Sequence, residues 1–253
     1  MLLNMFLTIV RKEITRFMRI WTQTLLPSVI TTILYFIVFG AFIGSQVSDV
    51  DGYSYMAFIV PGLIMMSVIN NSYSNVVSSF FSQKFMRAVD ELLISPTPNF
   101  IILTGYVLGG VLRGLIVGGL ITATSLFFVD FHIYNLTWVI LLFVLTSLFF
   151  SLAGFTNAVF ARKFDDVSIV PVFILTPLTF LGGVFYSINA LPPFWQVVSR
   201  FNPILYMING FRYGFLGISD VNVFFSLGIL VVFTVVMYVF NLVLLKKGVG
   251  LKN

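Results

Sequence analysis

Six stretches of this chain are apolar on every face and long enough to cross a bilayer: residues 24–44, 55–81, 101–129, 136–160, 168–187 and 222–245. A hydrocarbon core of about 30 Å takes roughly 20 residues of helix. Lipid offers backbone amides and carbonyls no partner, so each run must satisfy its own hydrogen bonds as a helix. A transmembrane barrel would need shorter strands of alternating polarity, a pattern these runs lack. The fold expected is an all-α polytopic membrane protein with six transmembrane helices. Composition agrees, since 59% of the 253 residues are hydrophobic and only 9% are charged. A soluble surface ordinarily draws on about 25% charge.

The few charges orient the chain. Arg11, Lys12, Arg16 and Arg19 precede the first run, Lys84 and Arg87 follow the second, and Arg162 and Lys163 follow the fourth. Lys246, Lys247 and Lys252 follow the sixth. With six spans, all of these fall on one side. The other side carries Asp49, Asp51, Asp130 and Asp220, with only Arg200 and Arg212 as cations. Cytoplasmic loops are enriched in Lys and Arg, so both termini are expected in the cytoplasm. The basic pI of 9.5 is thus read as loop placement and not as nucleic-acid binding. The chain has no cysteine, which excludes disulfide and thiol chemistry. A cleavable signal peptide is not expected, because the first long run is of spanning length.

Residues 188–217 break the pattern. Pro192 and Pro193 end the fifth run, yet Phe194, Trp195, Phe201, Leu205, Tyr206 and Phe211 keep the connection apolar. Segment 204–216 is too short to span. Counting it as a seventh span would put Lys246 and Lys247 outside. External re-entrant helices between spans five and six are therefore expected.

Two amphipathic segments lie on the cytoplasmic side. In residues 1–21, Leu2, Phe6, Ile9, Val10, Ile14, Phe17 and Trp21 recur at helical spacing, opposite Arg11, Lys12, Thr15, Arg16 and Arg19. A basic amphipathic helix ahead of a span suits the membrane interface. In residues 83–97, Phe85, Val89, Leu92 and Leu93 share one helical face, against Lys84, Arg87, Asp90 and Glu91. Pro96 and Pro98 end that segment. A short helix of mixed charge between two spans suits docking to a cytosolic partner.

Within the third span, Gly110, Gly114 and Gly118 form a flat ridge that permits close helix approach, to a neighbouring span or to a second subunit. Arg113 lies in the same span, and an intramembrane Arg marks a functional site by default. Twelve residues of helix put it roughly 18 Å from the cytoplasmic end. The antiparallel second span brings Asn70 and Asn71 to a similar depth, so Arg113 is expected to face these amides or a polar cavity. His132 stands alone in an external loop, without the ligand partners a metal site needs. No Ser/His/Asp set and no paired intramembrane acids occur, and no catalytic residue is assigned. A GxxxxGK[ST] phosphate-binding loop is also absent.

Residues 175–212 resemble the signature of the ABC-type-2 permeases, the membrane subunits of one class of ATP-driven exporters. The matching positions are Leu175, Leu178, Leu181, Gly182 and Val184, then Leu191-Pro192, then Pro203, Ile204, Tyr206 and Arg212. Glu91-Leu92-Leu93 followed by Ser95-Pro96 is also similar, and the likeness covers essentially the whole chain. Through FIVPGLIMMSV, GGVFYS, LPPFWQ and GFRYGFLG it looks nearest to small bacterial inner-membrane transport permeases of the YadH type. The resemblance implies a homodimer of the permease, surrounded by membrane lipids and binding two copies of a separate ABC ATPase. ATP and Mg would sit on that ATPase, and no cofactor would be bound by this chain. The segment holding Phe85, Arg87, Asp90, Glu91, Leu92 and Leu93 would be the coupling helix. Gly182, Gly183, Leu191, Pro192, Pro203, Tyr206 and Arg212 would belong to the external gate, and residues 2–21 to an interfacial connecting helix.

The principal alternative is a secondary transporter or channel working without an ATPase. Ion-coupled carriers ordinarily need intramembrane acids, and Glu13, Asp90, Glu91, Asp165 and Asp166 all fall in cytoplasmic segments by the pattern above. A membrane-embedded enzyme would need a cluster of catalytic side chains. The aromatic fraction of 17% suits an amphiphile or glycan path, but aromatic side chains also pack ordinary spans.

Overall fold

Each apolar run is helical in the computed structural model, which describes residues 2–44, 46, 49–130 and 133–250. The order is α1 (Leu2–Arg19), α2 (Trp21–Thr24), α3 (Leu26–Tyr35), α4 (Tyr55–Phe85), α5 (Ala88–Ile94), α6 (Asn99–Ser125) and α7 (Leu136–Phe160). Then come α8 (Phe164–Val170), α9 (Thr176–Leu181), α10 (Pro193–Arg200), α11 (Pro203–Leu216) and α12 (Val223–Lys247). No named β-strand occurs among the described residues. Six helical stretches are long and apolar enough to cross a membrane: Trp21–Gly40, α4, α6, α7, Phe164–Leu181 and α12.

Helix ends follow local chemistry. Ser54 caps α4 by accepting from the Ala57 amide, Asn135 caps α7 through Trp138, and Asn222 caps α12 through Phe224 and Phe225. Each satisfies amides that the first turn leaves free. Gly217 and Gly248 end α11 and α12 in the left-handed conformation that favours glycine. Spans one and five each contain a π-helical stretch, Phe36–Ile43 and Pro171–Leu175. In the fifth, Pro171 lacks an amide hydrogen and the Thr176 hydroxyl donates to its carbonyl. That span starts at Phe164 and its helix stops at Leu181, so it lies several residues earlier than the hydropathy pattern of 168–187 suggests.

The six spans are not equivalent. The apolar windows of α4 and α6 are 72% and 67% buried, whereas those of the fifth and sixth spans are 11% buried. The core is therefore the α4–α6–α7 triad, and the fifth and sixth spans turn most of their surface outward. The glycine ridge of α6 makes that triad possible within one chain. A Cβ on Gly110 would stand 2.9 Å from the Ser72 carbonyl oxygen and would collide with the Ser151 hydroxyl. Gly114 abuts Ser72, and Gly118 lies between Val68 and Phe143. Of the two expectations for the ridge, packing inside the chain is the one observed.

α1 is a single helix, but its buried stripe differs from the predicted one. Ile9, Glu13 and Phe17 face the bundle, while Leu2 and Trp21 are about half exposed. Ile9 meets Gly105 and Glu13 meets Gly109, so α1 runs in register along the first half of α6. Close approach at two glycines outweighs the simple division of apolar from charged residues.

Candidate functional site

The connection between spans two and three is built as a hinge and a short helix. α4 ends at Phe85, and Arg87 takes a left-handed conformation (φ 59°) before α5 begins. For a residue with a Cβ this costs about 1–2 kcal/mol. The single helix expected over 83–97 is thus broken, and the shared face predicted for Phe85, Val89, Leu92 and Leu93 is corrected. Phe85 belongs to α4 and packs on Phe164 with ring centroids 4.9 Å apart. Val89 is buried and anchors α5, and Leu92 and Leu93 are half-buried against the core. Asp90, Glu91 and Ile94 are exposed, Ile94 to 86%. Ser95 stops α5 by donating its hydroxyl to the Leu92 carbonyl (2.6 Å).

Deeper in the bundle, Arg113 ties three spans together. Its Nη2 donates to Asn71 Oδ1 (3.0 Å) on α4 and to the Thr24 carbonyl (2.9 Å) at the end of α2. The Thr24 carbonyl lies where the first span breaks at Leu25, just ahead of Pro27. Asn71 donates in turn to Ser28 Oγ (2.9 Å) and to the Ser67 carbonyl (2.9 Å). Asn70 takes no part in this clasp, because its Nδ2 donates to the Met66 carbonyl one turn back. The expectation that Arg113 meets both amides is therefore corrected to Asn71 alone. Asn70 instead lines a groove of about 210 Å³ with Ser28, Thr31 and Ser67.

A second polar cluster was not legible in the sequence. Glu13 is fully buried, with Oε1 accepting from Ser79 Oγ (2.6 Å) and Oε2 accepting from Arg16 Nη2 (3.2 Å). Arg16 also donates to the carbonyl and side-chain oxygens of Asn75 (2.9 and 2.8 Å). Nearby, Lys12 donates to the Tyr106 hydroxyl (3.4 Å), which donates to Gln83 Oε1 (3.2 Å). Burial lowers the pKa of Lys12, with the adjacent Glu13 opposing that shift. An i,i+3 Glu–Arg pair reads as an ordinary solvated helix face. Only the opposing Gly109 and Ser79 betray its burial.

At the opposite end of the bundle, Gly183, Phe58 and Asp220 meet at Arg212. Its side chain is 1% exposed, its Nη2 donates to the Gly183 carbonyl (2.6 Å), and its guanidinium carbon lies 3.8 Å from the centre of the Phe58 ring. It is thus a buried cation and not the loop residue that charge counting implied. Gly183 turns the chain at φ 79°, which places its carbonyl for this bond and favours glycine. Gly182 packs against Ile204 and Ile208 of α11. Asp220 lies 3.9 Å from Arg212 and accepts from Ser187 Oγ, the Ile188 amide and Asn189 Nδ2. Pro192 precedes α10, and Gln196 Nε2 donates to the Leu191 carbonyl (2.8 Å). Pro203 opens α11, where its missing amide costs nothing, and the Tyr206 hydroxyl donates to the Arg200 carbonyl (2.7 Å). All of α11 except Pro203 and Tyr213 is buried.

His132 lies outside the described residues. Among the described residues no group of His, Asp and Glu could hold a metal ion.

A bundle of six apolar helices, an exposed short helix between the second and third, and a buried proline- and glycine-set segment before the sixth define a permease fold. Residues 4–216 match the ABC-2 type transporter family, and the chain belongs to it. It is a membrane permease subunit of an ATP-binding-cassette exporter, a transport subunit and not an enzyme, and membership implies an ABC ATPase partner. The chain is 61% identical over 242 residues to the inner membrane transport permease YadH of Escherichia coli K12, covering 96% of this chain and 94% of that protein. It is also 24% identical over 232 residues to nodulation protein J of Rhizobium leguminosarum bv. viciae, covering 90% of each chain. With its six apolar helices, it is a multi-pass protein of a bacterial inner membrane.

Proposed function

We propose that the chain works as a homodimer on two ATPase subunits, with both termini in the cytoplasm, and that α5 is the element each ATPase grips. The observation that carries this reading is the construction of α5. Val89 anchors it, Arg87 breaks it from α4, and Asp90, Glu91 and Ile94 are presented outward. ATP and Mg belong to the ATPase in this reading, and this chain binds no cofactor. Closure of the ATPases on ATP pushes α5, and α4 carries the displacement directly into the core triad. α1 moves with it, because Glu13 and Arg16 bind Ser79 and Asn75 of the same helix. The Arg113 clasp links that motion to the first span at Thr24. Segment 188–217 acts as an external re-entrant gate, held by Arg212 and Asp220. The outward-facing fifth span offers a surface for the second permease copy as well as for lipid.

The absence of cysteine from the chain makes a clean test possible. Single substitutions Glu91→Cys and Asn189→Cys are to be labelled in intact cells with a membrane-impermeant maleimide. Asn189 is expected to react from outside, and Glu91 only after the membrane is opened. Labelling of Glu91 in intact cells would overturn the orientation and the docking role together.

A further inference from the structure

We propose that this permease holds an anionic glycerophospholipid in a site between the ends of spans two, four and six. A cavity of about 830 Å³ lies where these spans meet the membrane face, lined by Lys84, Arg87 and Arg162 together with Phe85, Phe160 and Gly250. Lys84 lies at the end of α4, Arg87 just beyond it and Arg162 just beyond α7, and no carboxylate lines the cavity among the described residues.

Lys84 is already used. Its Nζ donates to the carbonyls of Ala158, Val159 and Ala161 at the end of α7, where a cation also suits the helix dipole. Arg87 and Arg162 are different. Neither guanidinium makes a hydrogen bond or ion pair among the described residues. Asp166 accepts from the backbone amides of Arg162 and Lys163 (2.8 and 3.1 Å), and its charge reaches the Arg162 guanidinium only through space. The left-handed Arg87 stands at one edge of the cavity. Two guanidiniums with no hydrogen bond of their own, beside a third cation at the membrane surface, suit a phosphodiester. Arginine forks match phosphate geometry, and basic pockets between spans recruit anionic headgroups.

Phe160 lines both this cavity and a second, almost wholly apolar groove of about 460 Å³. That groove runs between α7 and the fifth span past Ala153, Ile174 and Leu178 to Ile204 at the start of α11. A cationic head site next to an apolar groove along the spans, with Phe160 common to both, has the charge and shape of a phospholipid. An acidic peptide of an ATPase would match the cations but would have no use for the groove. The site does not depend on the transport mechanism. The orientation proposed above only names its leaflet as the cytoplasmic one.

The test uses the full-length protein, delipidated in detergent and exchanged against vesicles of phosphatidylethanolamine with either phosphatidylglycerol or phosphatidylcholine. Native mass spectrometry then counts the lipid retained. Phosphatidylglycerol is expected to be retained in preference. Arg87→Gln and Arg162→Gln should each weaken retention about fivefold, and the pair roughly 25-fold. Arg162→Lys should restore most of the loss, and Ala153→Phe, which fills the groove without changing charge, should also weaken retention. Equal retention of phosphatidylcholine, or full retention by the double variant, would overturn the proposal. Displacement by inorganic phosphate as effective as that by phosphatidylglycerol would mean a small-anion site. Release of a co-purified ATPase by the double variant, with phosphatidylglycerol retention unchanged, would assign the cations to the ATPase.

Discussion

The chain has two irregular connections between spans, and they are built in opposite ways. α5 stands on one buried residue, Val89, and exposes Asp90, Glu91 and Ile94. α11 buries twelve of its fourteen residues and closes over a fully buried arginine. Both are short, and both interrupt the run of spans. The difference in burial separates their energetics. A change in α11 acts on the fold, whereas a change on the outer face of α5 acts on what that face touches.

The largest test of this contrast is Arg212→Met. It removes a cation held by Gly183 and Phe58 and leaves Asp220 without its counterion. Breaking a buried ion pair costs about 3–5 kcal/mol, so thermal unfolding in detergent should show a severe loss of stability or no folded protein. Survival at wild-type stability would erase the distinction between the two connections. Next comes Gly110→Leu, which drives a side chain into the Ser72 carbonyl. Overpacking of this kind costs about 1–3 kcal/mol, read by the same melts.

Arg113→Leu is expected to cost about 1–2 kcal/mol, because the Thr24 carbonyl and Asn71 Oδ1 each lose a donor. Folded yield should persist while the first span loosens at Leu25, which hydrogen exchange at residues 24–29 would report as faster opening. Unchanged exchange there would show that the clasp does not hold the break. The smallest stability effect belongs to Glu91→Arg, within about 0.5 kcal/mol, as for exposed positions generally.

Much of this was readable beforehand, for definite physical reasons. Lipid removes every alternative to a helix, so hydropathy located the spans. A helix also rises a fixed distance per residue, so depth arithmetic brought Arg113 and Asn71 to one level, where a 3.0 Å hydrogen bond now joins them. Adjacent residues share a depth but not a direction, and the Asn70 amide turns back to the Met66 carbonyl. The break at Arg87 was hidden because a left-handed arginine carries no glycine to announce it. Glu13 was hidden because its partners, Ser79 and Gly109, lie far away in sequence. The cations at 87 and 162 looked like ordinary loop charges until the spans placed them around one cavity.

The central claim is that α5 transmits ATPase motion without holding the fold together. The direct measurement takes Glu91→Arg and wild type, each reconstituted with the ATPase that co-purifies with the wild-type permease, and records ATPase stimulation and melting temperature on the same samples. The account predicts an unchanged melting temperature and a loss of stimulation of at least about tenfold, equivalent to 1.4 kcal/mol. Full stimulation by Glu91→Arg at an unchanged melting temperature would contradict it.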